Sequence, residues 1–278
     1  MDRQQARRDA EIKALEAAVV AAVVAGLADR LDTVSARLRR GVGLAVTAPT
    51  AWMLMRRRAA LDLAATHPQV AARVARFLPR AARLGAAQVG GTLPDGHDPT
   101  EDPLIRRVLD SLDADVRDRI VQAARVLSTD AVTTPTQLDA VLHQADGARR
   151  MAETAAGDLT ARAVAGGATA AADMLGLSLE WVAEPGACPA CAAMDGQVRE
   201  PGGQWEARRP PLPWPDALEH GAPAHPHCRC GRRIYTGTRA TPAAARPRPP
   251  RLFSPAGLRA RLAAVDTALR SARGRARR

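Results

Sequence analysis

The residues with the most chemistry in this chain are crowded into two short stretches. His225-Pro-His-Cys-Arg-Cys230 places two histidines and two cysteines within six positions, and Cys188-Pro-Ala-Cys191 supplies the other two of only four cysteines. C-x-x-C is one half of a zinc knuckle, and thiolate with imidazole is the donor set of tetrahedral structural zinc sites. A second half 34 to 42 residues downstream would close a long loop, so that the metal contributes directly to folding, on the order of 10 kcal/mol. Cys188 and Cys191 form one half. Cys228, Cys230, His225 and, after them, His227 compete for the remaining two places, and the residues alone leave that choice open. We expect a structural Zn2+ held by four of Cys188, Cys191, His225, Cys228 and Cys230.

Two catalytic uses of the same residues fit poorly. A redox C-x-x-C should open a helix after a strand within a βαβ unit, but Asp195-Gly196 turns the chain four residues after Cys191. A zinc deaminase needs H-x-E ahead of P-C-x-x-C. His67, His97 and His143 lack Glu at the second position beyond, and Ala187 stands where the proline belongs. A catalytic zinc also keeps an open coordination position, whereas here ligands are in surplus. The expectation is a protein that is not an enzyme.

The elements that must carry these residues can be read from periodicity. Alanine is abundant and aromatic residues make up 3% of the 278, a composition suited to long helices in close contact. Apolar residues at threes and fours predict a helix over 3–40, carrying Leu15, Val19, Val23, Leu27, Leu31, Val34 and Leu38. Further helices are expected over 50–66, 69–89 and 103–127. The uncharged run 41–55 is too short for a membrane span and is broken by Pro49, so it reads as a buried helical turn. On the fourth helix, Asp110, Asp113, Asp115 and Asp118 alternate with arginines, which reads as a solvated face. Thr134-Pro135-Thr136-Gln137 has the form of a capping box with Pro at the first helical position, opening a helix that continues with interruptions to about 175. Gly166-Gly167 lies inside it, with no strand before it to form a phosphate loop.

After Gly176 the pattern changes. Leu177, Leu179 and Trp181 alternate as in a strand, Asp195-Gly196 signals a turn, 197–199 returns as a strand, and the run after His225 closes as another. The fold class is therefore mainly α: long Ala-rich helices, a small zinc-stapled β unit, and a basic Pro/Arg-rich tail. The divisions are 1–176, 177–236 and 237–278, with a short helix expected over 254–271.

Charge is concentrated at the end. The net charge is +11, and residues 239–278 hold eleven arginines against the single acid Asp266, which accounts for +10 of it. Such a tail meets polyanions. Arg246, Arg248, Arg251, Arg259, Arg261, Arg270, Arg273, Arg275, Arg277 and Arg278 are the expected phosphate contacts, non-specific in sequence. Acids at Asp9, Glu11 and Glu16 argue against a secretory leader, and no membrane association is expected.

The order of strand with tryptophan, C-P-x-C, D-G turn, proline-rich insert and H-P-x-C-R-C resembles the Mu F-like minor head proteins of tailed phages, the phage head morphogenesis family. The resemblance rests on Leu179-Glu-Trp181, Cys188-Pro-Ala-Cys191, Met194-Asp-Gly196 and His225-Pro-His-Cys-Arg-Cys230, and covers about 150–236. It implies a virion protein in the capsid interior, present in the host cytoplasm during assembly, with the portal and capsid proteins and packaged DNA as partners. Relatives with a C-terminal toxin domain differ from this chain, whose tail is too short to form one. The competing expectation is a free zinc-containing DNA-binding protein in the host cell, although the base-reading helix of a zinc finger is missing.

Overall fold

The structure, a computed structural model, describes residues 3–66, 68–184, 186–205 and 230–237. It is mainly helical with one small sheet. The helices are α1 (Arg3–Gly41), α2 (Leu44–Thr47), α3 (Pro49–Ala64), α4 (Val70–Ala75), α5 (Leu78–Gln88), α6 (Pro103–Ser128), α7 (Pro135–Met174) and α8 (Pro189–Met194). The strands are β1 (Leu179–Val182), β2 (Val198–Arg199) and β3 (Gly231–Ile234). None of the described helices is long and apolar enough to cross a membrane.

The spine is α7. At 40 residues it runs about 60 Å, and α1, α5 and α6 all pack along it. Its buried residues recur at threes and fours, from Leu138 and Leu142 through Ala145, Ala148, Ala152 and Ala156 to Ala171 and Ala172. Thr134 opens it with the expected capping box, its hydroxyl accepting from the Gln137 amide at 3.2 Å while Gln137 Oε1 accepts from the Thr134 amide at 3.0 Å. The expected interruptions do not occur, because packing against three neighbours outweighs the cost of its glycines, about 1 kcal/mol each.

One of those glycines has a defined task. A Cβ built on Gly167 would lie 2.0 Å from the carbonyl oxygen of Ala82, and one on Gly85 would lie 1.8 Å from that of Val164. Backbone meets backbone where α5 crosses α7, and only hydrogen fits between. The adjacent Gly166 has nothing within 4 Å of such a Cβ.

Two expectations need correction. Helix 69–89 is divided into α4 and α5 by a turn at 76–77, because Pro79 has no N–H to continue the ladder. The run 41–55 is only in part a buried turn: Gly41 and Trp52 are buried and Val42, Leu44 and Ala45 pack against the core, but α2 has no fully buried residue and Val46 is 88% exposed. The non-helical Ala48 ends α2 after a single turn, so that only Leu44 and Ala45 of it reach the core.

The fourth helix is also more than a solvated face. Asp110, Asp115 and Asp118 are exposed. Asp113, however, accepts the Val70 and Ala71 amides at 2.7 and 3.1 Å, satisfying orphan donors at the start of α4. The far end of α6 is closed by α3. Arg56, only 3% exposed, donates to the carbonyls of Leu127 (3.4 Å) and Thr129 and to Asp130 Oδ1 (3.1 Å). Trp52, beneath that guanidinium, donates from Nε1 to the Val132 carbonyl at 2.9 Å. A cation there also answers the negative end of the helix dipole.

Adjacent substitutions on α7 test the crossing. Gly167→Ala should cost about 2–3 kcal/mol in chemical denaturation by forcing the helices apart. Gly166→Ala should be neutral or gain about 0.5–1 kcal/mol from helix propensity. Equal effects at the two positions would refute the contact.

Candidate metal centre and its setting

The sheet is antiparallel throughout, in the order β2-β1-β3. Leu179 lies opposite Arg199 on one side and Ile234 on the other, and Trp181 opposite Arg232. The predicted turn after α8 is stitched to β1. Gly196, at φ +73°, gives its amide to the Trp181 carbonyl at 2.9 Å, and Asp195 Oδ1 accepts the Ala183 amide at 2.8 Å. Only glycine adopts that dihedral without strain, which is why Asp-Gly was readable as a turn.

C-P-x-C does open a helix, which the sequence reading did not include. Cys188 is its N-cap and Pro189 its first residue, and Cys188 Sγ accepts the Cys191 amide at 3.5 Å. An amide directed at a sulfur stabilises negative charge there, the form in which cysteine binds a metal. The helix ends at Met194 and leads into an antiparallel strand, so the βαβ frame of a thioredoxin-like site is not built from these elements.

Three candidate ligands fall together. Cys191 (0% exposed) and Cys230 (9%) share one apolar cluster with Leu179, Trp181, Met194 and Trp205, and Cys188 packs against it. Cys230 immediately precedes β3, which holds it beside the far end of β1. His225, His227 and Cys228 lie outside the described residues, as do the ten tail arginines from Arg246 to Arg278 and the expected helix 254–271. Among the described residues, no group of three or more His, Cys, Asp or Glu side chains forms that could hold a metal ion. Cys188, Cys191 and Cys230 thus lie in or against one cluster, without forming such a group by themselves.

Several residues that secure this unit were not singled out in the sequence. Trp205, 3% exposed, meets Trp181 edge-on with ring centroids 5.4 Å apart and planes at 82°, a favourable aromatic geometry. Its place in the proline-rich insert carried no periodic signal. Asp173, near the end of α7, takes both Arg199 guanidinium nitrogens at 2.7 and 2.9 Å and the Gly202 amide at 2.9 Å. Burial alone would raise the Asp173 carboxyl. The Arg199 and Gly202 hydrogen bonds and the charges of Arg199 and Arg232 outweigh it and hold the group below its usual range. Arg232 hydrogen-bonds to Thr169 of α7. Its burial, with Arg199 and Arg162 nearby, pushes it down to about 9, still cationic at neutral pH. Glu180, 4% exposed, receives Arg233 Nε at 2.8 Å.

A cleft of about 570 Å³ opens between the 96–105 segment, α7 and the stretch from Arg199 to Trp205. Three of its carboxylates are engaged structurally: Asp98 with Thr100, Asp102 with the Leu104 and Ile105 amides, and Asp173 with Arg199. At Asp98 the hydrogen bonds from Thr100 hold the carboxyl below its usual range, as those from Arg199 and Gly202 do at Asp173.

Comparison of the chain with protein-family models, with curated proteins and with solved structures finds no match. The fold and the site define a mainly helical protein with a small antiparallel sheet, bordered by cysteines, docked on the longest described helix.

The Asp173–Arg199 pair carries a pH signature. A carboxyl depressed on folding stabilises the protein above its unfolded value near 3.9, and that contribution is lost as pH falls through the lower folded value. Asp173→Asn should cost about 2–3 kcal/mol at neutral pH. It should also flatten the acid limb of the stability curve below about pH 4. An unchanged acid limb would show that the pair does not tie the sheet to α7.

Proposed function

We propose that this chain is a structural minor head protein of a tailed phage, acting in head morphogenesis near the portal. The observation that carries the reading is the ordered set from Leu179 to Cys230: a strand with tryptophan, C-P-x-C, a D-G turn, and a cysteine leading straight into the closing strand. This is the set that resembles the Mu F-like proteins, and its gathering of Trp181, Cys191, Met194 and Cys230 in one cluster supports the likeness. In this reading Cys188 and Cys191, with partners among His225, Cys228 and Cys230, hold a structural zinc. The metal staples a sheet whose longest strands have four residues, and no reaction is assigned to it. The partners are the portal, the capsid proteins and packaged DNA, the last met by the arginines of 246–278. The protein resides in the capsid interior after assembly in the host cytoplasm.

Quantitative mass spectrometry of purified particles tests the assignment. A few copies per particle beside the portal protein are expected. Absence from particles, with the protein abundant in the lysate, would overturn it in favour of a free zinc-containing DNA-binding protein in the host cell.

The staple has its own test. Cys191→Ser should lose about one zinc per chain by metal analysis and loosen the region after Gly176 in hydrogen exchange, since structural zinc free energy is folding free energy. A variant that is metal-free yet equally protected there would end the staple reading.

A further inference from the structure

Residues 69–94 contain four arginines and no acid. The turn at 76–77 keeps helical dihedrals, with Arg76 at φ −62°, ψ −23° and Phe77 at φ −94°, ψ −19°, so α4 and α5 continue nearly as one rod. Arg73, Arg76, Arg80 and Arg83 are spaced by three, four and three. At 3.6 residues per turn they fall within about 80° of one another, opposite the buried row of Val70, Val74, Leu78 and Ala81. Arg76, Arg80 and Arg83 are exposed, and none makes an ion pair or hydrogen bond among the described residues. Arg73 lies across Gly26 of α1 and gives one N–H to the Ala22 carbonyl at 3.3 Å.

Elsewhere on the described surface the unpaired Arg106, Arg107, Arg117 and Arg119 of α6 are interleaved with Asp110, Asp113, Asp115 and Asp118, and other arginines are paired with acids. Arg37 and Arg58 share Asp62, Arg39 meets Asp139, and Arg149 and Arg150 share Asp146. A single-sign row left unneutralised in this setting calls for a polyanion.

We propose that the outer face of α4 and α5 is a second, sequence-independent nucleic-acid contact, made by Arg73, Arg76, Arg80 and Arg83 with the phosphates of a duplex. Ten residues of helix span about 15 Å, enough to follow several phosphates of a duplex that carries one charge per about 1.7 Å of axis. Guanidinium groups suit phosphate oxygens. Beside the arginines stand Ala72, Ala75 and Pro79, whose side chains have no polar atoms with which to read base edges. Phe77 is half-buried, which leaves no open aromatic platform for a splayed single strand. A second copy of the chain is a poor partner, since Asp110, Asp115 and Asp118 of α6 alternate with arginines and would bring like charges onto the row.

This contact is separate from that of the tail, and the full-length chain tests both. Anisotropy titrations with a short mixed-sequence duplex across a salt series would compare the wild type, Arg76→Gln/Arg80→Gln/Arg83→Gln, the same three positions as Lys, and a chain with its ten arginines of 246–278 changed to Gln. The triple Gln variant should lower the slope of log K against log salt by about 2–3, in both the wild-type and tail-substituted backgrounds, and the triple Lys variant should keep the slope. Unchanged slope and affinity in both backgrounds would overturn the proposal. So would retained DNA affinity with lost binding to polyglutamate, which would make the face a dock for acidic protein. If the tail variant binds as well as the intact chain while the triple Gln variant does not, the tail contact fails and this one stands.

Discussion

The arrangement rests on one approach of backbone to backbone, where Gly85 of α5 and Gly167 of α7 leave no room for a β-carbon. A crossing that tight sets the distance between two helices by peptide geometry, with no side chain between them to adjust. The surrounding positions follow suit: Ala81, Ala82, Ala86, Ala163, Ala168 and Ala171 are buried around it. Alanine hides little apolar area. What it permits is close contact, in which many weak dispersion terms add up. In a chain with 3% aromatic residues, a core of this kind holds together only if its helices are held near and in register.

Polar ties supply much of that register. Asp113 fixes the start of α4 from α6, Trp52 and Arg56 fix the end of α6 from α3, and Asp173 fixes β2 and the Gly202 turn from α7. Each uses a side chain on one element to satisfy backbone groups or charge on another, where a helix end or turn would otherwise leave them unpaired. The sheet is thereby attached to the helical body twice, through the apolar contact of Ala168, Ala171 and Ala172 with the tryptophan–cysteine cluster, and through the arginines of β2 and β3.

Local signals made the helices and turns legible from sequence. The α1 stripe, the Thr134 capping box and the Asp195-Gly196 turn depend on residues within a few positions of each other, and each stands where its pattern put it. Two misreadings were local, at the break before Pro79 and at the short turn 44–47; the others came from long-range partners. Gly167 reads as a cost to its helix until Ala82 is seen opposite, and Arg56 reads like Arg57 and Arg58 until the end of α6 arrives on it. Asp113 looks like its exposed neighbours because nothing in its own turn reveals the α4 amides 42 and 43 residues away. Of the candidate site, the spacing drew attention to Cys188, Cys191 and Cys230, which lie in or against one cluster, and left the ligand set open. Trp205, Asp173 and Arg199 could not be read from it, since their partners are 24 to 29 residues off and follow no period.

The Arg56 clasp has a bearing on how the chain is made. Its partners lie 71 to 74 residues further along, and synthesis proceeds from the N-terminus at roughly 5–20 residues per second. For several seconds α1 to α3 exist without the carbonyls that Arg56 serves. Over that interval the guanidinium stays hydrated, and the face that will bury it stays open. The first half of the protein thus waits on the second, and α3 reaches its final seat only when the last turn of α6 has been translated and folded against it.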